Sequence, residues 1–188
     1  MFKQALAYQV APNLNMLYGD KYGNIGYLGA GQIPIRQSGN GSIPVPGWTD
    51  EYEWSSYVPV DEWPQVFNPK EGYIVNANNK MVPEDYPYFI SQDWAMPARA
   101  DRITHLISEK INKSERLSTE DMEDIQGDTL SLPAARLLPV MIALEPENER
   151  QRQAIAYLSG WDGNMHRDSQ AATLYTVWLG FLRRALFD

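Results

Sequence analysis

The sequence predicts an α+β fold in two consecutive portions, residues 1–96 and 97–188. Before Pro97, glycine, proline and aromatic residues dominate the chain. Two runs in this part, Asn15 to Asp20 and Asn24 to Gly29, are typical of strands, and the Gly and Asn residues between them are typical of a hairpin loop. After Pro97 the composition changes to Ala, Leu, Glu and Arg at helical spacing, which predicts a helical portion.

The first portion combines these strands with a segment rich in proline and large rings. A short helix is expected at residues 2–8, and Pro12 ends it. Six prolines between Pro34 and Pro69 exclude central strands and helices there. We expect an ordered surface wrap held by burial of its aromatic side chains, which are Trp48, Tyr52, Trp54, Tyr57, Trp63 and Phe67. Gly72 to Val75 is predicted to be a short buried strand.

The second portion is predicted to be a series of helices. Pro97 suits a first helical position, and one apolar stripe follows at Ile103, Leu106, Ile107 and Ile111. Ser118 and Asp121 resemble a capping box at the start of another helix. Further helices are expected at residues 134–144, broken by Pro139, at 149–158 and at 171–187. The last apolar stripe is uncapped at Phe187, so we expect the chain to be truncated there.

Composition and charge exclude several classes of function. The net charge is −8, and no basic cluster exceeds Arg183-Arg184, which argues against nucleic-acid binding. The absence of cysteine excludes disulfides, thiol nucleophiles and cysteine metal sites. No apolar run approaches the roughly 18 residues that span a bilayer. The N-terminus lacks the pattern of a signal peptide, so the chain is either cytoplasmic or an internal piece of a longer precursor.

The run Asn76-Ala77-Asn78-Asn79 is the first candidate for chemistry. Amide side chains disfavour both helix and strand, so one interpretation is an Asx-turn in which they bind the local backbone. The other interpretation is functional. A side-chain NH2 held rigidly in place can donate to an oxyanion, and such a donor contributes several kcal/mol to transition-state stabilisation.

The charged residues and histidines of the second portion form the next group of candidates. Arg99 and Arg102 lie in a first helical turn, where positive charge is unfavourable, so at least one is expected to pair with a carboxylate or brace the Asn-rich run. His105 is expected to be structural, and His166 to lie in a loop. Neither has metal-ligand spacing, and no nucleophile-elbow pattern supports a catalytic triad.

Ordered motifs run through nearly the whole chain. They are Asn15-Met16-Leu17-Tyr18-Gly19-Asp20, Gly23-Asn24-Ile25-Gly26-Tyr27, Ile33-Pro34-Ile35-Arg36, Pro44-Val45-Pro46-Gly47, Phe67-Asn68-Pro69 with Gly72-Tyr73-Ile74, the Asn-rich run, Arg99-Ala100-Asp101-Arg102-Ile103 and the interhelical turn Trp161-Asp162-Gly163. In this order they resemble the penicillin acylase family of N-terminal-nucleophile serine hydrolases. Each motif alone is weak, but the ordered set is specific.

This resemblance implies a fold, an activity and a set of partners. The fold would be part of an αββα sandwich. Family members are exported, cut autocatalytically into two subunits, and hydrolyse penicillins, other acyl amides or acyl-homoserine lactones through the N-terminal serine of the larger subunit. This chain would be an internal fragment of that subunit, inactive alone. Its partners would be the small subunit, the N-terminal part of the large subunit and a small acyl-amide substrate, in the periplasm or outside the cell.

The resemblance also assigns roles to individual residues. Asn78 matches the oxyanion donor, Arg102 matches an arginine that lines the active site, and Asn76 is a supporting candidate. A structural calcium ion is expected, with Asp93 and the carbonyl of Gly41 among its ligands. The alternative from the residues alone is a non-catalytic module whose aromatic segment binds sugars or peptides, and burial of Trp48, Trp54 and Trp63 would exclude it.

Overall fold

The computed structural model describes residues 1–113 and 116–187, and it divides into two compact units, Met1–Pro97 and Ala98–Asp188. All the strands of the described residues lie in the first unit, and the second unit consists of helices joined by short loops. The predicted α+β class is confirmed.

A three-stranded antiparallel sheet forms the centre of the first unit. After helix α1 (Phe2–Leu6), strands β1 (Leu14–Gly19) and β2 (Ile25–Ala30) form the predicted hairpin, and β5 (Gln65–Phe67) pairs with the other edge of β2. The central strand β2 is the most buried of the three. Both edges of β2 are paired, since β1 lies on one side of it and β5 on the other.

A two-stranded sheet, β3 (Pro34–Arg36) with β4 (Trp54–Tyr57), lies within the proline-rich segment. Short 3-10 turns at Asp50–Tyr52 and Val60–Glu62 flank β4. These short strands fit between the prolines and each pairs with a single partner, so they do not contradict the exclusion of central strands from this segment. Side chains beneath both sheets form the core of the unit, and they are Leu28, Ala30, Ile33, Val58 and Trp63.

The aromatic side chains of the proline-rich segment are only partly buried. Trp63 is 3% exposed, and its indole N–H donates to the carbonyl of Val58 at 3.1 Å. Trp48 and Trp54 are 87% and 56% exposed, so the prediction that aromatic burial holds the whole wrap was wrong for both. Trp48 lies in a turn outside both sheets, and Trp54 lies in β4, whose four residues are all exposed.

Gly72 to Val75 is not a strand. Gly72 is exposed and the next three residues are half-buried, but within the described residues no strand pairs with them. Apolar, β-prone side chains do not make a strand without a partner to take up the backbone hydrogen bonds.

The second unit contains five helices within the described residues. They are α2 (Ala98–Lys113), α3 (Thr119–Gly127), α4 (Leu132–Ile142), α5 (Glu149–Ser159) and α6 (Gln170–Phe187). The capping box at Ser118 and Asp121 is confirmed, with each side chain bonded to the backbone of the other residue. Helices α4, α5 and α6 enclose a core that includes Leu158, Trp161 and Tyr175. No helix of the described residues is long and apolar enough to cross a membrane.

Helix α4 continues through Pro139, although we expected a break there. Proline removes the hydrogen bond to the carbonyl of the residue four positions earlier, which is Ala135. Both Pro139 and Ala135 lie on the exposed side of the helix, where water can bind that carbonyl. The Ser131 side chain accepts the N–H of Ala134 and caps the start of the same helix.

Candidate functional site

The Asn-rich run forms a tight loop held by its own amide side chains. Oδ1 of Asn76 accepts the backbone N–H of Asn78 at 3.2 Å, and Oδ1 of Asn79 accepts the N–H of Ala77 at 3.1 Å. The backbone N–H of Ala95 donates to the carbonyl of Asn78 at 3.0 Å. The expected Asx-turn is therefore present, and both backbone polar groups of Asn78 are engaged.

Asn78 has the left-handed backbone conformation, with φ +63°. Asparagine tolerates this region better than most residues with a side chain, because its short amide can bond locally. The residue is exposed, whereas its neighbour Ala77 is 6% exposed and anchors the loop. The arrangement presents an amide side chain on a backbone whose position is fixed, as an oxyanion donor requires.

Asn76 carries a buried donor as well as the acceptor that holds Asn78. Its Nδ2 is buried and has no hydrogen-bond partner among the described residues. An unpaired buried donor of this kind costs about 1–3 kcal/mol. The Asn-rich loop therefore carries one buried donor in addition to the groups that its own hydrogen bonds use.

Three of the ordered motifs meet at the hairpin. The Asp20 carboxylate accepts the backbone N–H groups of Tyr22 and Asn24 and the side-chain amide of Asn24, at 2.8 to 3.0 Å. These hydrogen bonds, chiefly that from the Asn24 side chain, lower the pKa of Asp20 to about 2. Asn68 donates to Oδ1 of Asn24 at 2.8 Å and accepts the N–H of Ile25 at 2.9 Å. The asparagines of these motifs thus fix the chain at the start of β2.

Arg102, in the first turns of α2, forms a bidentate ion pair with Asp128. Nε donates to Oδ1 at 2.9 Å and Nη2 donates to Oδ2 at 2.6 Å. The two side chains are 21% and 19% exposed. The hydrogen bond from Arg102 lowers the pKa of Asp128. Pairing with a carboxylate was expected for one of these arginines, but Asp128 lies 26 positions away and no local motif identified it.

Arg102 and Asp128 lie on the wall of a groove of about 830 Å³ within the second unit. The start of α2, helix α3 and the start of α4 enclose it. Most of the other lining side chains are apolar, among them Ile103, Leu106, Met122, Ile125 and Leu132. The groove can therefore accept an apolar group beside a guanidinium whose charge is balanced by Asp128.

The two calcium candidates lie in neighbouring loops. Asn40 Nδ2 donates to Oε1 of Gln92 at 3.4 Å, which brings the residues before Gly41 and Asp93 together. Gly41 has φ +76°, which strains any residue with a side chain, and a Cβ there would lie 3.0 Å from Nη2 of Arg36. The described residues contain no group of three or more acidic or histidine side chains that could hold a metal. Calcium takes 6–8 oxygen ligands, so these two donors do not complete a site.

The two histidines lie in different environments, one on a helix and one in a loop. The His105 side chain is 65% exposed, and its Nε2 lies 3.9 Å from a carboxylate oxygen of Glu109 on the same helix. His166 lies in the loop before α6, as predicted. Trp161-Asp162-Gly163 is the predicted interhelical turn, and the Trp161 indole N–H donates to the carbonyl of Asn164 at 2.9 Å.

Comparison with known proteins shows which family these features belong to. The penicillin amidase family model matches residues 1–188. The chain belongs to the penicillin amidase family. It is 39% identical over 176 residues to the penicillin acylase 2 proenzyme of Pseudomonas sp. (strain SE83), covering 92% of this chain and 21% of that protein.

Two further relatives represent two named activities of the family. Penicillin G acylase of Escherichia coli is 34% identical over 191 residues, covering 94% of this chain and 21% of that protein. Acyl-homoserine lactone acylase QuiP of Pseudomonas aeruginosa is 32% identical over 188 residues, covering 93% and 22%. This penicillin amidase segment thus spans about a fifth of the length of these relatives, and it is a fragment of a larger protein.

A solved structure shares the fold. Thermostable penicillin G acylase from Alcaligenes faecalis superposes with a TM-score of 0.67 at 23% identity, covering 97% of this chain and 34% of that chain. The fold expected from the resemblance to penicillin acylases is confirmed by this superposition. The binding-module alternative keeps one supporting observation, because Trp48 and Trp54 are exposed while Trp63 is buried.

Proposed function

We propose that this chain supplies the oxyanion donor of an acyl-amide hydrolase, and that Asn78 is that donor. The loop that holds Asn78 carries the proposal. The backbone N–H and carbonyl of Asn78 both form hydrogen bonds, while the residue itself is exposed. A donor positioned before the reaction needs no reorganisation when charge develops, which is the source of its catalytic effect.

The reaction follows from the nucleophile that the family uses. The N-terminal serine, outside this chain, attacks the carbonyl carbon of an acyl amide, and its α-amino group takes the hydroxyl proton. The carbonyl oxygen becomes an oxyanion, to which Nδ2 of Asn78 donates. The amine then leaves with a proton, and water hydrolyses the acyl-enzyme. Penicillins, other acyl amides and acyl-homoserine lactones are the candidate substrates, so the enzyme would act in antibiotic resistance or quorum quenching.

Arg102 has a separate role in this proposal. Its pairing with Asp128 engages Nε and Nη2, which leaves Nη1 outside the ion pair. We assign Arg102 to the lining of the substrate site in the complete enzyme, where a neutralised guanidinium can orient a polar substrate group without the cost of an unpaired buried charge. Asn76 supports catalysis through the hydrogen bond that it makes to Asn78.

The remaining partners would come from the rest of the precursor. The small subunit and the N-terminal part of the large subunit would complete the site, and export would place the enzyme in the periplasm or outside the cell. Asp93 and the Gly41 carbonyl would supply two oxygen ligands to a structural calcium ion whose other ligands lie outside this chain. Calcium there would hold the two neighbouring loops together and take no part in the chemistry.

Hydrolysis of phenylacetyl amides and acyl-homoserine lactones tests the proposal. The complete enzyme should release the carboxylic acid, and the isolated 188-residue chain should release none under the same conditions. Turnover by the isolated chain would contradict the view that its nucleophile lies elsewhere. Failure of the complete enzyme on every acyl amide would remove the hydrolase assignment for this protein.

The second candidate is a non-catalytic module that binds sugars or peptides, favoured by the exposure of Trp48 and Trp54. Stacking of a ligand on these rings would change their fluorescence. We expect no saturable change when oligosaccharides or unstructured peptides are added to the complete enzyme. A saturable change that disappears in Trp48→Ala or Trp54→Ala would establish the module.

A further inference from the structure

Asp128 fixes Arg102 to the loop between α3 and α4. Two parallel hydrogen bonds define the plane of the guanidinium as well as its position. The same Oδ1 atom also accepts the backbone N–H of Leu130 at 3.3 Å, so the carboxylate cannot rotate without breaking a bond to the loop.

This loop is in turn bonded to the interhelical turn before α6. The backbone N–H of Met165 donates to the carbonyl of Thr129 at 2.9 Å, and the N–H of Ser131 donates to the carbonyl of Gly163 at 3.0 Å. These bonds flank the isolated bridge between Leu130 and Asn164. The contact is close, because a Cβ at Gly163, whose φ is +84°, would lie 3.3 Å from Cδ1 of Leu130.

The turn is itself closed by the side chain of Asp162. Its Oδ1 accepts the backbone N–H of Asn164 and its Oδ2 accepts Nδ2 of Asn164, both at 2.9 Å. The backbone hydrogen bond from Asn164 is the largest cause of the lowered pKa of Asp162. Trp161 is 9% exposed and packs against Tyr175 with ring centroids 5.3 Å apart, which anchors the turn in the core.

We propose that Asp128 is a positioning residue for Arg102, and that the Asp162–Asn164 turn holds Asp128 in place. The inference rests on the proposed role of Arg102 in the substrate site. A continuous series of hydrogen bonds joins the groove wall to the core of the second unit, so the motif Trp161-Asp162-Gly163 acquires a function beyond turning the chain. A guanidinium held by one flexible contact would sample many orientations, whereas this one has a single orientation before substrate binds.

The alternative is that the Arg102–Asp128 ion pair only stabilises the fold and has no effect on the substrate site. A matched control lies between α2 and α3, the helix that ends just before Asp128. Nζ of Lys110 is 2.8 Å from Oδ1 of Asp121, joins α2 to α3, and has side-chain exposures of 23% and 31%, close to those of Arg102 and Asp128. Neither Lys110 nor Asp121 lines the groove.

The experiment compares Asp128→Asn, Arg102→Ala, their double variant and Lys110→Met in the complete enzyme. We expect Asp128→Asn to lower kcat/KM by about 10-fold to 100-fold, the loss that follows when a contacting group is misplaced. The double variant should be no worse than Arg102→Ala alone, because Asp128 acts only through Arg102. Lys110→Met should lower the melting temperature by about as much as Asp128→Asn does, but it should change kcat/KM less than about twofold.

The outcomes separate this inference from the proposed function. If Arg102→Ala leaves kcat/KM unchanged, Arg102 has no role in the substrate site. The role proposed for Arg102 and the positioning role of Asp128 are then both wrong. If Arg102→Ala is impaired but Asp128→Asn is not, or if their effects add, the positioning role is wrong and the role of Arg102 stands. If Asp128→Asn does not fold, Asp128→Glu retains the charge and displaces the guanidinium by one methylene group, and it should show the same non-additivity with Arg102→Ala.

Asn164→Ala tests the outer part of the arrangement. It removes the hydrogen bond that the Asn164 side chain donates to Asp162 and the one that it accepts from Oγ1 of Thr129, and it keeps the backbone bonds of the turn. We expect a loss in kcat/KM of about threefold to 10-fold that disappears in the Arg102→Ala background. A loss of equal size in both backgrounds would show that Asn164 acts on overall stability and would overturn its part in positioning Arg102.

Discussion

Oδ1 of Asn76 accepts the backbone N–H of Asn78 at 3.2 Å, so the amide of one asparagine sets the backbone of the other. The hydrogen bond occurs where Asn78 has the left-handed conformation. A local bond of this kind stabilises a conformation by about 1 kcal/mol. Its removal would therefore allow the loop to leave the arrangement that presents the Asn78 side chain.

We expect Asn76→Ala to lower kcat of the complete enzyme by about fivefold, since a loss of about 1 kcal/mol corresponds to that factor. The measurement is steady-state hydrolysis of a chromogenic acyl amide. Asn79→Ala is the matched control, because Asn79 makes the same kind of bond to Ala77 and none to the backbone N–H of Asn78. Equal losses in the two variants would show that Asn76 has no particular effect on Asn78.

Burial distinguishes the tryptophans of the proline-rich segment. Trp63→Phe removes the indole N–H that binds the Val58 carbonyl in the core, so it should lower the free energy of unfolding by about 1–3 kcal/mol. Trp48→Phe alters a ring that is 87% exposed, so it should change the free energy of unfolding by less than about 0.5 kcal/mol. Urea denaturation of the 188-residue chain, followed by far-UV circular dichroism, measures both. Similar effects for the two variants would contradict the described core.

The capping box of α3 should make the second unit sensitive to acid. Hydrogen bonds from Lys110 and from Ser118 lower the pKa of Asp121 from 3.8 to about 2 in the folded chain. A lowered pKa means that the carboxylate stabilises the fold above pH 3.8, and that this contribution is lost as the pH falls towards 2. Asp121→Asn should therefore lower the melting temperature at pH 6 and have little effect near pH 2.

Thermal unfolding of wild-type chain and Asp121→Asn between pH 6 and pH 2 measures this change. Asp124→Asn is the control, since Asp124 also pairs with Lys110 but is 76% exposed and takes no part in the cap. A difference between wild type and Asp121→Asn that stays constant across this range would contradict the assigned ionisation.

Local signals identified many elements before the structure was known. The Ser118 and Asp121 pair formed the expected cap because both partners lie within one helical turn. The hairpin of β1 and β2 and the turn at Trp161-Asp162-Gly163 also depend on neighbouring residues. Such features are visible in sequence, since the groups that interact are close along the chain.

Non-local contacts explain the errors. Gly72 to Val75 has a strand-like composition, but no strand pairs with it in the described part of the chain. Trp54 and Trp63 look alike in sequence, and only their positions relative to the core decide that one is exposed. Asp128 was missed because it lies in a loop 26 positions from its partner Arg102 on α2. Sequence patterns do not report which distant segments meet.

The central claim is that the amide of Asn78 stabilises the oxyanion, and single-turnover acylation of the complete enzyme tests it most directly. Asn78→Gly keeps the left-handed backbone and removes the amide, while Asn78→Ala removes the amide and strains the backbone. Both should slow acylation by about 100-fold or more, which corresponds to the loss of one oxyanion donor. An acylation rate in Asn78→Gly equal to that of the wild type would contradict the claim.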